Sequence, residues 1–224
     1  LSLHTKTALT VTAVLIFGGA ALFLLLEWNN PETLGPLSFF DKIQAALFQS
    51  VTLRTAGFNT ISQSGLHDFS QVLSCILMLI GGSSGSTAGG LKTVTVGVLF
   101  LTLRAGLAGR EEVTLRGRSI SHRRVMNALT LTLIVAVVFL AGSMIISLVD
   151  DVPFLSAAFE SASAMATVGV TVGITPTLSL FSHVLLICMM FLGRVGIMSF
   201  SIAFLARSKY PAKIKYPTMD IMIG

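Results

Sequence analysis

The feature that most constrains this chain is an internal repeat, which appears when the sequence is compared with itself at an offset of 112 residues. The sequence TAGF at residues 55–58 falls on TVGV at residues 167–170, and FS at residues 69–70 falls on FS at residues 181–182. The agreement extends over about forty residues without a gap, as expected of a duplicated structural unit. Each unit reads as a helix, a short apolar helix, an extended T-x-G turn and a further helix.

Composition places both units in a lipid bilayer. Hydrophobic residues make up 53% of the chain, charged residues 11%, and the mean hydropathy is +0.85. Uncharged runs that meet or approach the length of a membrane span cover residues 9–26, 69–91, 125–149 and 178–206, the last interrupted only by Arg194. We therefore predict an all-α membrane protein. Its parts are a first unit at residues 1–105 with an interrupted second helix, a linker at 106–124, a second unit at 125–207 and a tail at 208–224.

The charges predict how the units are oriented. Basic residues are concentrated in the segment 104–124, which holds six arginines, and in the tail, whereas the other connections are mainly acidic. Because Lys and Arg accumulate on the cytoplasmic side of membrane proteins, we expect the termini and residues 104–124 in the cytoplasm and both T-x-G turns on the outside. The net charge of +5 does not indicate a nucleic-acid partner, since base-reading motifs are absent. The charge of the segment 104–124 and of the tail is equally consistent with attraction to anionic lipid headgroups.

The two turns are the candidate site. The apolar stretches before them, residues 37–53 and 153–166, are too short to cross a bilayer and return. Non-helical backbone at membrane depth must line a water-filled path or be buried in protein. Backbone carbonyls there replace the water of a monovalent cation, glycine permits the required dihedral angles, and the C-terminal ends of the short helices favour a cation. The alternative is a pair of ordinary glycine turns between helices. The candidate ion-binding residues are Thr55, Ala56, Gly57, Phe58, Thr167, Val168, Gly169 and Val170.

A glycine segment at residues 81–90 follows the first turn and has three interpretations. A phosphate-binding loop is excluded because Leu91 occupies the position that requires Lys. A simple helix kink would use fewer Gly and Ser residues. We favour an unwound mid-membrane segment below the turns, where loose backbone can line the conduction path; the resemblance that this segment bears to a known family implies that it acts as a gate. Its residues are Gly81, Gly82, Ser83, Ser84, Gly85, Ser86, Thr87, Ala88, Gly89 and Gly90.

The charged side chains near these elements have different predicted roles. Arg194 is the offset partner of Gly82, and it either ties backbone carbonyls together or places a positive barrier beside the pore. Arg54 is expected to brace the first turn through nearby carbonyls. Lys92 belongs either to the gate or to the cytoplasmic surface. Glu160 is expected at the end of the second short helix, towards the outside.

Enzymatic chemistry is not predicted. The four histidines are widely separated without ligand spacing, and Cys75 and Cys188 are expected to be small buried hydrophobic residues. We expect no organic cofactor. The remaining classes are a cation channel or transporter, a secondary transporter with broken helices for another cation, and a membrane scaffold. A scaffold would have no reason to repeat the T-x-G turn.

The sequences SVTLRTAGFNT at residues 50–60, GGSSGSTAGGLKT at 81–93 and ATVGVTVGIT at 166–175 resemble the Trk/Ktr/HKT superfamily of potassium transporters. The resemblance is closest to the membrane subunit of the bacterial Ktr system, includes the ending KYPTMDIMIG, and leaves a Trk-type subunit as the alternative. It implies four M1-P-M2 repeats around one pore, of which these are the third and fourth.

The same resemblance implies the ions and the partners. Potassium is the expected ion, with sodium-dependent symport possible, and the expected location is the bacterial plasma membrane. The partners would be the N-terminal half of the same polypeptide, a homodimer mate and a cytoplasmic ring of nucleotide-binding regulatory subunits that controls the intramembrane gate.

Overall fold

A computed structural model of the chain describes residues 3–83, 85–86, 88–110, 112–115 and 118–195. Two residues of the glycine segment, Ser84 and Thr87, lie outside the described residues. So do the predicted tail at residues 208–224 and the last part of the fourth apolar run, residues 196–206.

The described part of the chain is mostly helical. The two longest helices, α1 and α5, have the length and composition needed to cross a bilayer, whereas the other helices are shorter and largely apolar. In chain order the elements are α1 (Leu3–Glu27), α2 (Phe39–Thr52), α3 (Asp68–Leu79), α4 (Thr93–Leu107), β1 (Thr114–Leu115), β2 (Arg118–Ser119), α5 (His122–Asp150), α6 (Phe154–Met165), a 3-10 turn (Thr175–Thr177) and α7 (Leu180–Val195).

Packing puts the second short helix at the centre of the molecule. Helix α1 packs on α2, and α5 packs on α6, so each long helix covers the short helix that follows it. Helix α6 also contacts α7 and, across the two units, α3. Every residue of α6 from Ala157 to Met165 is buried. Large apolar side chains of the long helices, such as Phe17, Leu25 and Leu148, are exposed instead, as expected of a surface that faces lipid.

Two local features differ from the sequence-based expectations, whereas the run at residues 69–91 is interrupted as predicted from the sequence: α3 ends at Leu79 and the glycine segment begins two residues later. The chain is not entirely helical, because the linker contains an antiparallel pair of two-residue strands, β1 and β2. Cys75 is buried as expected, but Cys188 is exposed on α7, so the prediction of a buried thiol was wrong there.

A buried carboxylate fastens the C-terminal end of α1. Glu27, the last residue of α1, is fully buried and accepts hydrogen bonds from Asn30 Nδ2 (2.6 Å), Thr33 Oγ1 (2.6 Å) and the backbone N–H of His67 (3.0 Å). His67 precedes the first residue of α3, so the carboxylate joins the end of α1 to the start of α3.

The second unit has the same joint. Asp150, the last residue of α5, accepts a hydrogen bond from the backbone N–H of Ser179 at 2.8 Å, just before α7. Ser179 is the offset partner of His67. In each unit, therefore, a carboxylate at the end of the first helix binds the backbone just before the helix that follows the T-x-G turn.

Glu27→Gln is expected to destabilise the protein by roughly 1–3 kcal/mol, because the amide nitrogen meets buried donors in place of an acceptor. The measurement is the thermal unfolding midpoint of the detergent-solubilised full-length protein that contains this chain. Glu32→Gln is the matched control, since Glu32 is an exposed carboxylate in the connection between α1 and α2. Equal midpoints for the two variants would contradict the role of the Glu27 cluster.

Candidate functional site

The two T-x-G turns begin directly after the short helices and adopt the same unusual backbone. Thr55 and Gly57 have φ values of 73° and 78°, and Thr167 and Gly169 have values of 56° and 97°. The left-handed region costs a non-glycine residue about 1–2 kcal/mol, so a threonine there in both turns is strained. Such strain is retained where the surrounding structure imposes it, and it points to a functional segment.

The hydrogen bonds of the first turn run back to the end of α2. The N–H groups of Ala56 and Gly57 donate to the Thr52 carbonyl at 3.0 and 3.3 Å. Phe58 N–H donates to Thr52 Oγ1 at 2.8 Å, and this hydroxyl donates to the Phe58 carbonyl at 2.6 Å. One threonine at the helix end therefore binds both ends of the turn.

The second turn is held by Ser163 of α6 in a similar way. Val168 N–H donates to the Ser163 carbonyl at 2.9 Å, and Gly169 N–H donates to Ser163 Oγ at 3.2 Å. Among the described residues, no donor binds the carbonyls of residues 55–57 or 167–170. The helix ends thus occupy N–H groups of both turns and leave a set of carbonyl oxygens available to a ligand.

The structure brings the two turns together. A Cβ atom on Gly57 would collide with the carbonyl oxygen of Val168, so the two backbones are in contact and only glycine fits. The environments of the turns differ, however. Val168 and Val170 are buried in an apolar cluster to which both units contribute, whereas Phe58 is 70% exposed. The first turn consequently lies at an open edge of the molecule.

The glycine segment contacts the start of the second turn. Its two ends are drawn together, because Leu91 N–H donates to the Leu79 carbonyl at 2.8 Å. Near its far end, Gly89 N–H donates to Thr167 Oγ1 at 3.1 Å. A Cβ on Gly89 would lie 2.7 Å from the carbonyl carbon and oxygen of Ala166, so the approach requires glycine. The predicted gate therefore touches the predicted ion-binding turn directly.

Three basic side chains lie around this segment. Arg54 Nη2 donates to the carbonyl of Gly81 at 3.2 Å, so Arg54 braces the glycine segment and not, as expected, the turn beside it. Lys92 Nζ donates to the carbonyls of Ser86 (3.4 Å) and Ala88. Arg194 on α7 is close enough to Lys92 to interact with it electrostatically.

Glu160 does not occupy the position expected from the sequence. It lies within α6, not at its end, and is only 5% exposed. Its carboxylate accepts hydrogen bonds from Thr171 Oγ1, Thr175 Oγ1 and the backbone N–H of Val172. A glutamate within an otherwise uncharged short helix was the signal available in the sequence.

Metal-ligating side chains are not grouped in the part of the chain that the structure describes, where no cluster of three or more His, Cys, Asp or Glu residues could hold a metal ion. The oxygen atoms gathered here are backbone carbonyls and threonine hydroxyls. Neutral oxygens of this kind suit a weakly held monovalent cation.

Comparison with known proteins identifies relatives of the whole chain. A family model described as TrkH, a cation transport protein, matches residues 3–212. The potassium/sodium uptake protein NtpJ of Enterococcus hirae is 40% identical over 229 residues, which covers 100% of this chain and 51% of NtpJ. The Ktr system potassium uptake protein B of Bacillus subtilis is 36% identical over 223 residues, which covers 100% of this chain and 50% of that protein.

A solved structure agrees with these relatives. The crystal structure of the potassium transporter TrkH from Vibrio parahaemolyticus superposes with a TM-score of 0.68 at 25% sequence identity, over 89% of this chain and 43% of that one. The chain spans about half the length of the curated relatives it matches, and it corresponds to their C-terminal half. The family match and the full-length similarity confirm the resemblance predicted from the turns and the glycine segment: the chain belongs to the TrkH family of cation transport proteins.

Proposed function

We propose that this chain forms half of the pore of a membrane protein that takes up potassium, and that the two T-x-G turns supply half of its ion-binding filter. The observation that carries the proposal is that the backbone N–H groups and the backbone carbonyls of the turns have different partners. N–H groups bond to the ends of α2 and α6, while the carbonyls of residues 55–57 and 167–170 receive no donor among the described residues. The names of the similar uptake proteins support potassium as the ion.

The physical basis is replacement of the hydration shell. A dehydrated potassium ion needs a surrounding set of oxygen atoms, and carbonyls supply them without a fixed charge that would trap the ion. Thr55 and Gly57 have positive φ values, and the residue between them has an ordinary φ. This alternation turns successive carbonyls towards one side of the turn. The contact between Gly57 and the Val168 carbonyl supports a shared binding cavity.

A closed ring of oxygens requires two further units. Helix α3 of the first unit packs on α6 of the second, whereas the equivalent surface of α7 has no following unit in this chain. At the other edge, Phe58 and Val51 remain exposed beside the first turn. We propose that two homologous M1-P-M2 units from the N-terminal half of the same polypeptide cover these edges.

The glycine segment and Arg194 form the proposed gate below the filter. The hydrogen bond from Gly89 to Thr167 supports direct communication between the segment and the filter. Arg54, Lys92 and Arg194 concentrate positive charge at this level, and a positive charge repels a cation more strongly where water is scarce. The resemblance to Ktr-type subunits supports a homodimer and control by a cytoplasmic nucleotide-binding ring, with sodium as a possible coupling ion.

The test of the filter is potassium-dependent growth. The full-length protein is expressed in cells that lack potassium uptake, and growth is measured at low potassium together with rubidium and sodium flux. Wild type is expected to restore growth and to admit rubidium better than sodium. Gly57→Ser is expected to abolish rescue, because its side chain would collide with the Val168 carbonyl, and Gly169→Ser to weaken it through backbone strain at φ 97°.

Gly18→Ser is the matched control for both substitutions. Gly18 lies in α1 with no atom within 4 Å of the position a Cβ would occupy, so the added side chain meets open space. Equal membrane amounts of the variants are established before fluxes are compared. Normal growth and selectivity of both filter variants would show that the turns are not the filter.

The gate makes a second, opposite prediction. Arg194→Ala, or deletion of residues 85–86, is expected to raise potassium flux severalfold and to weaken its dependence on the regulatory partner, with rubidium-to-sodium selectivity unchanged. Arg104→Ala is the matched control, because Arg104 is an exposed arginine in the last turn of α4. Reduced flux through folded Arg194→Ala protein would identify Arg194 as a structural tie.

A further inference from the structure

A buried carboxylate holds the segment that leaves the second turn. The hydroxyl of Thr171 and the N–H of Val172 (3.1 Å) donate to Glu160 Oε1, and the hydroxyl of Thr175 donates to Oε2 at 2.8 Å. Thr171 directly follows the turn, and Thr175 begins the 3-10 turn. Both ends of the segment 171–175 are therefore bound to one side chain of α6.

Helix α6 also holds the turn itself, through Ser163, which lies three residues after Glu160. Ser163 accepts hydrogen bonds from the N–H groups of Val168 and Gly169, as described above. Residues three apart lie on one face of a helix, so Glu160 and Ser163 form a two-point support behind the turn. The turn cannot change shape without breaking bonds to one of these two residues.

The first unit contains an equivalent support built from neutral groups. Gln49 and Gln63 exchange side-chain hydrogen bonds of 2.7 and 3.0 Å, and Thr52 holds the turn. Gln49 and Thr52 are three residues apart in α2, as Glu160 and Ser163 are in α6, and Gln63 is the offset partner of Thr175. The support is thus repeated in both units, but only the second uses a carboxylate.

We propose that Glu160 is a positioning residue of the filter, which sets selectivity for potassium over sodium by fixing the carbonyls of residues 167–170. This inference rests on the proposed function of the turns. Glu160 acts through Thr171, Val172 and Thr175 and does not touch the ion. Its role is to keep the carbonyls apart by hydrogen bonding, so that they do not close around the smaller sodium ion.

Substitution of Glu160 by glutamine or by leucine distinguishes a positioning role from a simple effect of charge. A glutamine has one acceptor oxygen, which retains Thr171 and Val172, and an NH₂ group that donates to Thr175. The Thr175 hydroxyl rotates to accept this bond, whereas a leucine makes none of the three. If Glu160 acts by position, glutamine preserves selectivity; if it acts by charge, glutamine fails as leucine does.

The experiment measures the rubidium-to-sodium flux ratio of the full-length protein in proteoliposomes. Glu160→Leu is expected to lower the ratio roughly tenfold, and Glu160→Gln to keep it within about twofold of wild type. Thr175→Val removes one donor, leaves Glu160 in place and is expected to give an intermediate loss. It also provides a measurement if Glu160→Leu does not fold. Glu32→Gln, an exposed carboxylate outside the site, is the control and should leave the ratio unchanged.

Each outcome supports or overturns the inference. Wild-type ratios for Glu160→Leu and Thr175→Val would show that the support does not set selectivity, and equal losses for Gln and Leu would replace positioning by charge. In either case a wild-type protein that carries rubidium leaves the proposed filter intact. If wild type carries neither rubidium nor potassium, the proposed function fails, and the role of Glu160 fails with it.

Discussion

Hydrogen bonding at the ends of the two short helices is the constraint on which the rest of the structure depends. Backbone groups at membrane depth have no bulk water to bind, so each must find a partner in the protein or face a hydrated path. Thr52 and Ser163 bind N–H groups of the turns, whereas no donor among the described residues binds the carbonyls of residues 55–57 and 167–170. The proposed ion path would supply a partner for these carbonyls.

The surrounding helices keep this arrangement in place. Glu27 and Asp150 join the end of the first helix of each unit to the start of the helix that follows the T-x-G turn, and so fix the frame that holds the short helix. The two units are not identical, however. Where the first unit unwinds into the glycine segment, the second continues as α7 and carries Arg194. A duplicated frame thus holds a non-helical glycine segment in the first unit and a continuous helix with an arginine in the second.

Much of this plan could be predicted from the sequence because its signals are local or repeated. The offset of 112 residues predicted that the two turns share one conformation, and their φ values are indeed alike. The Gly and Ser content of residues 81–90 predicted a break in the second helix. Membership of the cation transport family was also recognisable from these motifs.

The remaining features depend on contacts between distant residues. Arg54 was expected to serve the turn beside it, yet its guanidinium reaches Gly81, which is 27 positions along the chain. Glu160 finds its partners 11 to 15 residues later, and nothing in its neighbours specifies that pairing. The strands β1 and β2 are only two residues long, too short to show an alternating pattern, so no local signal in the sequence predicted them. Which residues become hydrogen-bond partners depends on the folded structure, and a local sequence pattern does not specify it.

The central claim, which belongs to the proposed function, is that the backbone carbonyls of the two turns bind the transported ion. Its most direct test is anomalous diffraction from crystals of the full-length protein grown in rubidium. The account predicts rubidium peaks between the turns, surrounded by carbonyl oxygens that include those of Gly57 and Val168, and loss of these peaks when sodium replaces rubidium. It would be contradicted by a structure in which those carbonyls bond to protein donors while rubidium is ordered elsewhere.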